Sequence, residues 1–170
     1  GRRLELEIAF IDEFGFSFAE KLATTWAPVG HPPIIRRVKR QRRSLSTVVA
    51  LTLSGRILKR QFQCSIKGEQ VVVALKHFRR HLGGGFILIW DHLPAHQSRL
   101  VKAYLNDHPE IKVEWLPSYA PEINPEEFCH GNVKEHLRNP TPKTIDEIKP
   151  ILNKNFARLR HRSDLILGFF

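Results

Sequence analysis

Cysteine is scarce. Cys64 and Cys129 are the only two, too few for a disulfide scaffold, and no C-x-x-C pair offers a zinc site. Long apolar runs are missing too: none approaches the roughly 20 residues of a membrane-spanning helix. Gly1-Arg2-Arg3 leads into alternating sequence rather than the unbroken apolar core of a secretory signal. These absences predict a protein of a reducing compartment, cytoplasmic or nucleoid-associated, with no membrane partner. Acidic residues are the third shortage. Only 17 Asp and Glu stand against 27 Lys and Arg, a formal charge of +10, which points to a polyanionic partner. Charge alone does not separate DNA from RNA or an anionic membrane surface. Two further absences remove enzyme classes. Gly83-Gly84-Gly85 is not followed by Lys-Ser/Thr, so it is a turn rather than a phosphate-binding loop. His77 and His81 stand four apart on a predicted helix but lack an H-E-x-x-H frame, so they read as surface histidines.

What is present fits a folded domain. A content of 42% hydrophobic and 26% charged residues is ordinary for a globular protein, and 170 residues suffice for one domain with a real core. Leu4, Leu6, Ile8 and Phe10 alternate with Glu5, Glu7 and Ala9, which predicts a strand running into Ile11-Asp12-Glu13; Phe16-Ser17-Phe18 is a candidate start for a second one. Ser46 to Leu53 and Arg56 to Ile66, separated by Ser54-Gly55, predict a hairpin. Gly68 to Leu82 has helical periodicity. Phe86 to Trp90 is unbroken apolar sequence, expected as a strand buried on both faces and ending at Asp91. A helix through Leu100, Val101, Tyr104 and Leu105, a strand from Ile111 to Leu116, a helix opened by Asn124-Pro125 and a last helix from Ile145 to about Leu159 complete the series. The order predicts a mixed α/β sheet of about five strands covered by helices.

Three acidic positions stand out against the basic background. Asp12 and Asp91 both follow apolar strands. If those strands are parallel neighbours, the two carboxylates project side by side and repel unless a cation lies between them. Mg²⁺ takes oxygen ligands of this kind, and two ions roughly 3.5–4 Å apart can activate a water and stabilise the leaving oxygen of a phosphodiester. The plainer reading of an Asp at a strand end is a turn residue. Glu127 has its own plain reading: Asn124 as N-cap, Pro125 at N1 and Glu127 at N3 make a variant capping box. Glu126 competes with Glu127, and the residues alone do not choose. Arg36, Arg37, Lys39, Arg40, Arg42 and Arg43 form a basic run fit for salt-sensitive phosphate contact. Trp26 reads as a DNA or neighbour contact, or equally as a buried aromatic.

Four stretches carry a specific resemblance: Phe10-Ile11-Asp12-Glu13, Trp26-Ala27-Pro28-Val29-Gly30, Trp90-Asp91-His92-Leu93-Pro94-Ala95-His96, and Leu116-Pro117-Ser118-Tyr119-Ala120-Pro121-Glu122-Ile123-Asn124-Pro125-Glu126-Glu127. In this order they resemble the catalytic domain of mariner-type transposases and related bacterial insertion-sequence transposases. The resemblance implies an RNase H-like fold and an acidic triad holding two Mg²⁺ or Mn²⁺ ions, used to cleave DNA and transfer strands. By motif, Asp12 and Asp91 match the two aspartates and Glu127 the closing acid, with Asp12 shared between the ions. Glu126 falls on a usually apolar position, and His96 matches a supporting histidine. DNA, both transposon ends and target, and a homodimeric active complex are the implied partners. Family members carry helix-turn-helix modules before this domain, so residues 1–170 are expected to form a single catalytic domain without that region. His92 stands where the family usually has Asn, Ala120 replaces a common Ser, and Phe128-Cys129-His130 lacks a frequent Trp. Two rival readings share the fold: another RNase H-like nuclease, and a domesticated, non-catalytic DNA-binding derivative.

Overall fold

In the computed structural model, which describes residues 6–17, 44–117, 123–137 and 142–170, five strands form one sheet. They are β1 (Glu7–Ser17), β2 (Ser44–Thr52), β3 (Ile57–Phe62), β4 (Phe86–Trp90) and β5 (Ile111–Trp115). Their spatial order is β3-β2-β1-β4-β5. β2 runs antiparallel to β1 and β3, whereas β4 is parallel to both β1 and β5. The helices are α1 (Gly68–His81), α2 (Arg99–Asp107), α3 (Pro125–His136), α4 (Ile145–Arg160) and α5 (Ser163–Leu167). The mixed five-stranded arrangement is the predicted one; α5 was not anticipated.

The two-residue period of each strand divides its side chains between two cores. Ala9, Ile11, Val48, Ala50, Phe86, Leu88 and Trp90 pack on the side of α1, against Val71, Ala74, Leu75 and Phe78. On the opposite side Phe14, Leu45, Val49 and Leu51 pack against Cys129 and Val133 of α3 and Ile148, Leu152 and Phe156 of α4. Each such side chain contributes about 1.5–3 kcal/mol by leaving water. The fold is thus a sheet with helices on both faces.

Several boundaries differ from the sequence reading. β1 continues without a break through Asp12 to Ser17, so Asp12 lies within a strand and Phe16-Ser17 extend it rather than starting another. The reason is pairing: β2 partners β1 from Ala9 to Ser17, and that ladder holds an acidic pair which in isolation resembles a turn. The hairpin strands are Ser44–Thr52 and Ile57–Phe62, with Gly55 at φ 79° in the turn between them. β4 is fully buried on one face only, through Phe86, Leu88 and Trp90, while Ile87 and Ile89 are half-buried. α3 and α4 pack chiefly over β1, β2 and β3, which leaves the corresponding face of β4 less covered.

Candidate active site

The register of the central pair positions the first two acids. The last parallel pair is Phe10 with Ile89, and Asp12 and Asp91 each lie two residues beyond it. They therefore stand at one level, on the sheet face that carries Phe14 and α3. β4 has ended at Trp90 by this point, so Asp12 gains an open flank although its own strand continues. The parallel neighbourhood expected of the two strands is present; the shared strand end is replaced by a shared level.

Side-chain bonds hold both acids in place. Asp12 Oδ1 accepts from the Glu13 amide at 2.7 Å, and its Oδ2 accepts from Asn124 Nδ2 at 2.8 Å. Asn124 is the N-cap of α3, and its Oδ1 accepts from the Glu126 amide at 3.2 Å. The cap therefore serves the second helical residue, not Glu127 as the capping-box reading had it. Asp91 Oδ1 accepts from the Leu93 amide at 3.2 Å, an Asp-type turn two residues on. The turn role expected of an Asp at a strand end is therefore present. His96, buried and stacked on Trp90 at 4.2 Å, places Nδ1 3.0 Å from Asp91 Oδ1 and Nε2 2.9 Å from Glu13 Oε1. Nδ1 also bonds the Asp91 carbonyl oxygen at 3.0 Å, so acceptors face both ring nitrogens and favour the doubly protonated ring.

Electrostatics follow this arrangement. Burial, reinforced by the charges of Asp91 and Glu127, lifts Asp12 to about 6 against the bonds from Glu13 and Asn124 that favour its ionised form. Burial also works against the charged form of His96, but its bonds to Asp91 and Glu13 override this and raise it to about 9. Asp91 is held below its usual range: burial opposes ionisation, yet the His96 bond and the Leu93 amide outweigh it. Glu127 is exposed in the first turn of α3, whereas Glu126 is fully buried and driven well above the carboxylate range by desolvation and by Asp12. The apolar character expected at position 126 is matched by its burial. Among the described residues no three His, Cys, Asp or Glu side chains are grouped closely enough to hold a metal ion as they stand.

Asp91 and Glu127 thus both act on the charge of Asp12, and His96 bonds to Asp91. Arg36, Arg37, Lys39, Arg40, Arg42 and Arg43, like Trp26, lie outside the described residues. His77 and His81 lie on α1 with ring centres 4.2 Å apart and planes tilted by 48°, apart from the acids. The sequence reading missed two partners. Glu13 lies on the opposite strand face from Asp12 and holds the far side of His96. Asn124 was recognised only as a cap. The one signal for either was local: adjacent acids on a strand must point to opposite faces.

The model describing the DDE superfamily endonucleases matches residues 7–149. The chain belongs to the DDE superfamily endonucleases. Solved structures agree on the fold of this DDE domain. The catalytic domain of Mos1 mariner transposase matches with a TM-score of 0.60 and 14% identity, covering 95% of this chain and 80% of that one. The Mos1 strand transfer complex gives 0.60 and 17%, covering 95% and 53%, so this DDE domain spans about half of that transposase chain. The HTLV-2 integrase catalytic core, in a dimeric form with magnesium, gives 0.53 and 15%, covering 88% and 81%. The shared architecture is RNase H-like. No curated protein sequence matches significantly. Among the described residues, no helix of the DDE domain is long and apolar enough to cross a membrane.

Proposed function

We propose that this chain is the catalytic domain of a DNA transposase, which cleaves transposon ends and joins the freed 3′ end to target DNA with divalent metal. The observation that carries the reading is the level placement of Asp12 and Asp91 on one face of the central parallel pair, with Glu127 charge-coupled to Asp12 from α3. The donor set is hard oxygen, which suits Mg²⁺ or Mn²⁺ rather than softer metals. The cost of ionising Asp12 beside two other acids marks a cluster with too little positive charge, so the residues fit such a group in kind. Asp12 is the proposed shared ligand, with Asp91 and Glu127 each completing one side. Bound there, two Mg²⁺ or Mn²⁺ ions supply a lowered water pKa and charge stabilisation of the leaving 3′ oxygen. Asn124 orients Asp12, and His96 fixes the rotamer of Asp91 while Glu13 balances the imidazolium charge. The Mos1 and HTLV-2 proteins support the remaining proposals, that DNA is the substrate and that a homodimer is the working unit.

The test is cleavage of labelled duplex DNA in Mg²⁺ and Mn²⁺ by wild type, Asp91→Asn and His96→Gln. Metal-dependent nicking should vanish in Asp91→Asn and fall roughly 10- to 100-fold in His96→Gln, the range for residues that orient a ligand. Nicking that persists in Asp91→Asn refutes the assignment.

A further inference from the structure

A second charged feature lies apart from the carboxylates, where the edge strand β3 meets α4. A cavity of about 350 Å³ is lined by Leu45, Lys59, Arg60, Gln61, Phe62, Gln63 and Lys149, none of them acidic. Lys59 is half-buried, its ammonium 5.1 Å from the centre of the Phe156 ring and donating to Asn153 Oδ1. Burial, with the positive charges of Arg160 and Lys149, lowers Lys59 to about 8. Gln61 contributes a buried Nε2 that has no hydrogen-bond partner among the described residues. A lysine crowded by Arg160 and Lys149, in a cavity with no acidic lining residue, marks a place suited to an anion.

Its location favours one anion. Asp12 pairs with Val49 and Val49 with Lys59, so the three form one row across the sheet. Two strand spacings, about 10 Å, separate the ends of that row; Val49 between them is buried under α3 and α4, so the row gives a separation and not a path for DNA. β3 runs in the same direction as β1, so Gln61 to Gln63 lie toward the sheet end at which β4 gives way to Asp91.

We propose that the cavity formed by Lys59, Arg60, Gln61 and Lys149 is a phosphate-backbone site that seats duplex DNA flanking the scissile position. The proposal rests on the transposase reading for the identity of the nucleic acid and for the scissile position, and not for the phosphate contacts themselves. It is tested by the salt dependence of binding to a short fluorescein-labelled duplex, followed by anisotropy. Lys59→Met keeps the apolar stem on Phe156, and Lys149 is exposed, so Lys149→Gln on its own leaves the core untouched. The double variant should weaken binding on the order of tenfold and reduce the slope of log K against log salt by about 2, one per lost phosphate contact. Lys102→Gln with Lys112→Gln, on α2 and β5, removes the same charge elsewhere and should leave the slope nearly unchanged. An equal loss in both pairs reduces the effect to net charge and overturns the proposal. So does an unchanged slope in folded Lys149→Gln and in the double variant, even where inorganic phosphate binds the cavity. Asp91→Asn is carried through the same titration: if wild type fails to nick DNA yet the slope depends on Lys59 and Lys149, the phosphate site stands and the catalytic reading falls.

Discussion

His130 lies in the second core with its ring 4.5 Å from that of Phe14, and its Nε2 is 3.7 Å from Glu126. That distance, with no hydrogen bond between the two groups among the described residues, argues against an ion pair, and both shifts lead to neutrality. Burial, helped by the charge of Lys134, takes His130 down to about 4, while burial drives Glu126 up. The signs are opposite. As pH falls below the ordinary histidine value of 6.5, the unfolded chain takes up a proton that folded His130 refuses until about 4, so stability is lost on acidification. Glu126 instead costs stability as pH rises above its ordinary 4.5. Urea midpoints for wild type and His130→Phe, compared at about pH 7 and about pH 4.5, should show the smaller acid loss in the variant. Equal losses would mean that His130 is protonated in the fold. The resemblance marked position 126 as usually apolar, but the burial of His130 was not legible from the sequence, because it is decided by how α3 meets β1 and β2.

Helix contacts give the next scale its sharpest case. Gly68 opens α1 at a point where an added Cβ would collide with the Oγ of Ser98, the residue that caps α2 by accepting from the Val101 amide at 3.4 Å. Gly68→Ala should therefore force the two helices apart and cost about 1–3 kcal/mol, as overpacking does. Gly131→Ala in α3 is the counterpart: nothing stands near its Cβ, and the change should stabilise by roughly 0.5–1 kcal/mol through helix propensity. Thermal melts that move in the same direction for both would sink this account. Elements with one strong period were readable in advance, as with α1 and the apolar β4. The passage of β1 through Asp12-Glu13 was not, because its support is a ladder to β2. The site was half legible. Residue type and position single out Asp12 and Asp91 and the family resemblance adds Glu127 and His96, but the bonds that hold these side chains join residues 83 and 112 positions apart, beyond any local pattern.

Across the whole molecule the acid cluster works against the fold when no cation is bound. Asp12 prefers its proton up to about pH 6, so near neutrality its charge is a burden that the unfolded chain escapes. Asp12→Asn should melt higher than wild type in chelator, by about 1 kcal/mol or more. Added Mg²⁺ or Mn²⁺ should raise the wild-type melting temperature and leave the variant nearly unmoved. A wild type indifferent to metal would remove the basis for the ligand assignment. The bond between Asn124 and Asp12 has a consequence in time as well as in place. Asn124 caps α3 with one end of its amide and holds Asp12 with the other, so fraying of the first turn releases the carboxylate in the same event. Hydrogen exchange at the Glu126 amide then becomes a clock for the acid cluster: the rate at which that proton is lost sets an upper limit on how long the cluster stays assembled between openings.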